Sequence, residues 1–257
     1  MALRHGADLH QVRPARPDRG PAGHRTNPTA RDLVLQPPLS PVRLRGSRGL
    51  RALRAADRGG GVRSRHPACA VVSLAALDVR RRPEHRSELG SQLLLGEVVR
   101  ILARSRDGLW HRLENAADGY RGWARDWGLI PASRARATRW LSRASARIVG
   151  PFVEASSEPG GGALVTPLFL NSRLIPAGSR AGFRRLELPD GRRAWVPAKS
   201  VVVGSRPHVR LLDRVRGLLG VPYLWGGRTA LGFDCSGFTQ QVLSEQGVAL
   251  PRDAWQQ

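Results

Sequence analysis

Two stretches of this chain, "LWHRLENAADGYRGWARD" and "GFRRLELPDGRRAWVPAK", can be laid over one another, and that repeat limits the fold more than any other feature. Trp110 falls on Phe183, Leu113 on Leu186, Glu114 on Glu187, Asp118-Gly119 on Asp190-Gly191, and Trp123 on Trp195 with one residue deleted. In each copy Asp-Gly separates two strand-like pieces, a hairpin signal because a tight turn needs residues that tolerate positive φ. Two copies of one small β unit account for the pattern. Upstream, "AVVSLAALDVRRRP" is strand-like, and "QLLLGEVVRILARSRDGLWHRLE" gives short apolar runs broken by Gly and a charged turn. Trp110, Trp123 and Trp195 are expected to pack in the core or on the hairpins, and Cys69 to be a buried thiol. Tyr120, at a hairpin tip, has less reason to be core.

A different texture begins near Pro207. In "HVRLLDRVRGLLG" the apolar Val209, Leu212, Val215 and Leu219 fall on one helical stripe, with Arg and Asp opposite and Gly220 at the C′ position. After the turn-rich "VPYLWGG" a second helix starts around Cys235. Asp234 suits its N-cap, Phe238, Val242 and Leu243 form its apolar stripe, and Gly247 ends it. A thiol in the first turn of a helix faces N–H groups that have no intrahelical acceptor, at the positive end of the dipole. Those N–H groups also suit an oxyanion formed when a carbonyl is attacked. Gly226-Gly227 before the cysteine and Gly237 after it let backbone and substrate approach closely. The bland alternative is a buried structural cysteine, with Asp234 as a helix cap only.

Residues 1–68 are rich in Arg, Pro and Gly with neither helical nor strand periodicity, and are expected to be disordered. The net charge of +22 would suggest an anionic partner. Nearly all of it is Arg, with Lys199 the only lysine, and no groove-reading or base-stacking motif accompanies it, so no specific nucleic-acid partner is expected. Two cysteines, with no CxxC or Cys/His cluster, are too few for a disulfide scaffold or zinc site, and no cofactor or metal is expected. No stretch is long or apolar enough to span a membrane, and the amino terminus has no apolar signal region. The chain as written is therefore expected in the cytoplasm, or in the cell envelope if its start lies elsewhere.

The string "VPYLWGGRTALGFDCSGFTQQVL" resembles the signature of the NlpC/P60 cysteine peptidases through Pro222, Tyr223, Trp225, Gly226, Gly227, Asp234, Cys235, Ser236, Gly237 and Phe238. "LPRDAWQQ" is similar to a further segment of that family through Leu250, Pro251, Arg252 and Gln256. The doubled β unit resembles the bacterial SH3-like (SH3b) domain. The resemblance implies a multidomain chain: a disordered basic segment 1–68, SH3b-like all-β barrels at 69–140 and 141–204, and the helical first part of a papain-like α+β domain at 205–257. It implies hydrolysis of amide bonds in peptidoglycan stem peptides, and in particular the γ-D-Glu–diamino acid bond of muropeptides with a free N-terminal L-Ala.

Cys235 is then the nucleophile. The resemblance further implies that Asp234 and Ser236 bind the free amino group, that Tyr223 contacts substrate or nucleophile, and that Tyr120 borders the cleft. The family's general base is a His downstream of the cysteine. Here all seven histidines (His5, His10, His24, His66, His85, His111, His208) precede Cys235, so no catalytic base is assigned. The chain is accordingly expected to be C-terminally truncated and inactive as it stands. The alternative is a non-catalytic module that binds cell-wall peptide.

Overall fold

In a computed structural model of the chain, residues 68–204 and 209–257 are described. Apart from Ala68, the basic segment expected to be disordered lies outside these residues.

Short apolar strands separated by turns build a first antiparallel sheet from β1 (Cys69–Val72), β2 (Ala76–Arg80), β3 (Leu89–Leu94), β4 (Val98–Arg104), β5 (Trp110–Asn115), β6 (Arg121–Arg125) and β7 (Leu129–Ala132). A second contains β8 (Ala146–Ile148), β9 (Phe152–Glu158), β10 (Gly161–Phe169), β11 (Arg173–Arg180), β12 (Phe183–Glu187), β13 (Arg193–Pro197) and β14 (Val201–Val203). The strand orders are β3-β2-β6-β5-β4-β1-β7 and β10-β9-β13-β12-β11-β8-β14, the same order shifted by seven strands.

The repeat holds at the level of register. Leu113 faces Gly122 and Arg112 faces Trp123; in the second sheet Leu186 faces Ala194 and Arg185 faces Trp195. A β-bulge follows the partner of each leucine, between Ile101 and Ala103 and between Pro176 and Gly178. Gly119 (φ 78°) and Gly191 (φ 87°) supply the left-handed turn residue of each hairpin. A 3-10 turn precedes the last strand in both, at Asp126–Gly128 and Ala198–Ser200.

β1 is buried on both faces. Period-2 alternation sends Ala70 and Val72 into the first sheet's core, beside Leu77, Leu93 and Leu113. Cys69 and Val71 go into a larger core shared with α1 (Arg134–Arg143) and the second sheet. Trp140 of α1 anchors that junction, donating from Nε1 to Gly96 O at 2.8 Å. The boundary between 140 and 141 drawn from the repeat falls inside this helix. Trp110 is buried, with the Arg125 guanidinium over its ring, and Arg185 lies over Trp195 in the same way.

The remaining residues form α2 (Leu211–Arg216), a two-strand ribbon β15 (Arg228–Thr229) and β16 (Gly232–Phe233), and α3 (Cys235–Glu245). Here the helical stripe needs correction. Leu212 and Leu219 are 59% and 78% exposed, while Leu218 is buried and Val215 packs against the small core of Leu170, Phe233 and Val242. The helix also stops at Arg216, before Gly220. Arg214 is the reason: buried, it donates from Nε and Nη2 to the Glu245 carboxylate and from Nη2 to Val149 O at 2.6 Å. Sealing a buried charge pair turns the helix away from its apolar stripe, because either partner left alone would carry the full desolvation penalty.

Candidate active site

α3 begins as its sequence requires. Asp234 is the N-cap, with Oδ1 accepting from Gly237 N at 2.7 Å, and Cys235 is the first helical residue. The Cys235 side chain is exposed. The Cys235 and Ser236 amides, in the first turn, have no intrahelical acceptor and sit where an oxyanion would be stabilised. At the other end Gly247 takes φ 81°, which closes the helix.

The glycines around the cysteine serve the chain before any substrate. A Cβ on Gly226 would meet Leu89 O and the Leu89 side chain of β3, and Gly226 also takes φ 78°. A Cβ on Gly237 would meet Gly227 O. The close approach read from the sequence is therefore between backbone segments, and it sets the start of α3 against β15 and the first sheet.

Asp234 does more than cap. Oδ1 also accepts from Ser236 Oγ at 3.3 Å, and Oδ2 accepts from Gly226 N at 2.9 Å and Arg252 Nη2 at 2.7 Å. Arg252, itself buried, extends Nη1 to Ser236 Oγ at 2.8 Å and Nε to Ser91 Oγ of β3 at 3.0 Å. Asp234 and Ser236 are thus both occupied by protein donors. A ligand ammonium at Asp234 would have to share or displace Arg252.

Tyr223 is 65% exposed on the strand-like segment bridged to Phe233. Next to it, Trp225 donates from Nε1 to Glu88 Oε1 at 2.9 Å, tying the "PYLWGG" turn to the β2–β3 connection. Tyr120 is half-buried against the first sheet's core, with its hydroxyl over Gly90. Burial raises its pKa above the ordinary value, and the Asp253 charge adds to the rise. The other charges that act on Tyr120 are those of Arg252 in the last segment and of Arg81 and Glu88 in the β2–β3 connection. Its own hairpin touches α3: Asp118 Oδ2 accepts from Gln240 Nε2 at 3.0 Å.

Several residues were not picked out from the sequence. Arg228 is buried, donating to Gln92 O at 2.6 Å and to Glu97 at 3.0 and 3.2 Å. Burial works against its charge, but Glu97, Asp118 and Asp234 outweigh burial and raise its pKa. Arg252 lay within the segment quoted for the family resemblance, where its role as a clamp had no local signal. Glu88, Gln240 and Asp253 carry no pattern at all. The two described histidines lie against the first sheet: His85, in the β2–β3 connection, meets Trp110 edge-on at 5.0 Å, and His111 of β5 lies opposite Arg104. Among the described residues no group of three His, Cys, Asp or Glu side chains is arranged to hold a metal.

Residues 220–257 match the NlpC/P60 family and residues 79–127 match the bacterial dipeptidyl-peptidase SH3 domain, so the chain carries both elements. It is 32% identical over 77 residues to a gamma-D-glutamyl-L-lysine dipeptidyl-peptidase of Bacillus cereus, a match covering 27% of this chain and 23% of that protein. With the protein of the same description from Bacillus subtilis it shares 54% identity over 39 residues, 15% of this chain and 13% of the relative. The matches thus span less than a quarter of either relative. The crystal structure of an NlpC/P60 family protein from Bacillus cereus superposes with a TM-score of 0.64 at 20% identity, covering 74% of this chain and 76% of that one, a likeness of fold.

Proposed function

We propose that this chain carries the nucleophile-bearing part of a cysteine peptidase that hydrolyses amide bonds in peptidoglycan stem peptides. The preferred bond is γ-D-Glu–diamino acid in muropeptides with a free N-terminal L-Ala. The two repeated sheets are SH3b-like modules at 69–140 and 141–204, and 205–257 is the helical part of the catalytic domain. The observation that carries this reading is the exposed Cys235 thiol at the first position of a helix capped by Asp234. The chemistry follows from that placement. Thiolate attack on the carbonyl carbon leaves an oxyanion beside the first-turn amides, and collapse expels the amine and leaves a thioester.

Tyr223 lines the approach to the thiol, and Tyr120 borders the cleft from the first sheet. Asp234 and Ser236 take part in recognising the amino end of the substrate in concert with Arg252, which already pairs with both. A site that requires a free ammonium measures from the end of a peptide, because a substrate lacking it leaves buried polar groups unpaired.

The step for which no described histidine is assigned is proton transfer. Residues 220–257 contain no histidine, and the two described histidines lie against the first sheet. We therefore expect these 257 residues alone to turn over slowly or not at all. Chemical rescue tests this. The chain is incubated with L-Ala-γ-D-Glu-L-Lys and rising imidazole, and release of the dipeptide is followed by mass spectrometry, with Cys235→Ala as control. Cleavage should be low without imidazole, rise with it, and vanish in the control. Fast cleavage without imidazole overturns the missing base, and cleavage that survives Cys235→Ala overturns the nucleophile. The same lack of imidazole favours a second reading, a non-catalytic module binding wall peptide, in which the tripeptide binds but is never cut at any imidazole concentration.

A further inference from the structure

Helix α3 is gripped by different sheets at its two ends. Near its start the first sheet holds it through Ser91, bonded to the Arg252 that clamps Ser236, and at its middle through Asp118, bonded to Gln240. From Gln241 to its end it is held from the second sheet. Asn171, between β10 and β11, donates from Nδ2 to Gln241 O at 2.8 Å. Its Oδ1 accepts from Arg147 Nη1 of β8 at 3.1 Å, and the same Arg147 nitrogen donates to Ser244 O at 2.9 Å. Glu245, one residue on, is reached through Arg214, which also bonds Val149 O beside β8.

Two features set this latch apart from ordinary packing. Asn171 adopts φ 70°, a left-handed conformation that side chains other than Gly enter at a conformational cost, Asn among the least. That conformation is held where the amide spans Arg147 and the helix. Ser244 O, in the last turn, already accepts from Gly247 N at 3.0 Å, and the Arg147 cation adds a charged donor to it at the negative end of the helix dipole.

We propose that Asn171 and Arg147 are positioning residues for Cys235. The second sheet sets the rotation and tilt of α3 from its C-terminal half, so the thiol is aimed by groups that grip the helix roughly 9 and 14 Å along its axis. On this view the second sheet belongs to the frame of the site and is not an independent ligand module. The proposal rests on reading Cys235 as the nucleophile, but its test needs no turnover, so failure of the peptidase assay and failure of the latch are read separately.

The full chain is compared with Asn171→Gly, which keeps the left-handed turn and removes the amide, and with Arg147→Ala and Arg147→Lys. Amide exchange across 236–246 and across β8–β14 is followed by mass spectrometry, together with site-resolved iodoacetamide alkylation of Cys235 at fixed pH. Asn171→Gly and Arg147→Ala should speed exchange in α3 by about tenfold and change Cys235 alkylation by about threefold, with β8–β14 unaltered. Arg147→Lys, which keeps a donor, should restore both readouts. Exchange in α3 within about twofold of the parent overturns the proposal. So does β8–β14 loosening as much as α3, since the two residues would then hold the sheet instead of the helix. Unchanged alkylation over a loosened helix, or no restoration by Arg147→Lys, overturns it as well.

Discussion

Arg252 Nη2 lies 2.7 Å from Asp234 Oδ2, and the guanidinium side chain is only 2% exposed. The cation thus sits sealed beneath the residues that flank Cys235, with Ser91 and Ser236 taking its remaining nitrogens.

Removing one partner of such a pair strands the other charge out of water. Arg252→Ala should therefore cost about 3–5 kcal/mol. Arg252→Lys keeps the charge but loses the fork that spans Asp234 and Ser236, and should cost about 1–3 kcal/mol. Denaturant titration measures both. A loss below about 1 kcal/mol for Arg252→Ala would show that the clamp is dispensable.

The repeat predicts paired effects. Nothing lies within 4 Å of a Cβ added at Gly119 or Gly191, so Ala there meets only the left-handed backbone and should cost about 1–2 kcal/mol at each site. Gly226→Ala should cost more, because Leu89 of β3 occupies the space as well. Melting temperatures of the three variants test the order, and a neutral Gly191→Ala would break the equivalence of the two hairpins.

Glu114 gives an acid-dependent contribution. Burial pushes its carboxyl up, but Arg121 at 2.6 Å and Arg100 at 2.9 Å outweigh burial and hold its pKa below the ordinary value. A depressed folded-state pKa contributes stability present above the unfolded value of about 4.3 and lost as pH falls through the folded one. Glu114→Gln should accordingly flatten the loss of stability between neutral pH and pH of about 3 relative to the parent. Parallel urea midpoints for the two proteins across that range would contradict this.

The two thiols should separate cleanly. Cys235 is exposed and Cys69 is buried, with burial raising the pKa of the Cys69 thiol. Native-state iodoacetamide should modify Cys235 and leave Cys69 untouched until denaturant is added. The raised Cys69 pKa adds stability that is complete below the unfolded value of about 8.5 and lost as pH rises through the folded value. Cys69→Ala should remove that alkaline decline, and labelling of Cys69 in the native protein would contradict its burial.

The sequence by itself determined whatever depends on neighbours along the chain. Two Asp-Gly hairpins at matched spacing demand left-handed turns, with Leu113 and Leu186 at matching positions, so a doubled β unit was legible. Asp234 followed by Cys235 and closed by Gly247 specifies α3 through its caps, for the same local reason.

Only the tertiary structure decided what rests on charges far apart in sequence. Arg214 finds Glu245 and turns α2 off its apolar stripe. Arg252 finds Asp234, Arg228 finds Glu97, and Tyr120 comes to share an electrostatic environment with Asp253. In an Arg-rich chain each cation looks alike on paper, because ion pairing has no period and leaves no mark beside either partner. What selects the pairs is burial: a guanidinium enclosed between a sheet and a helix must meet a carboxylate there, and only the folded chain shows which arginines are enclosed.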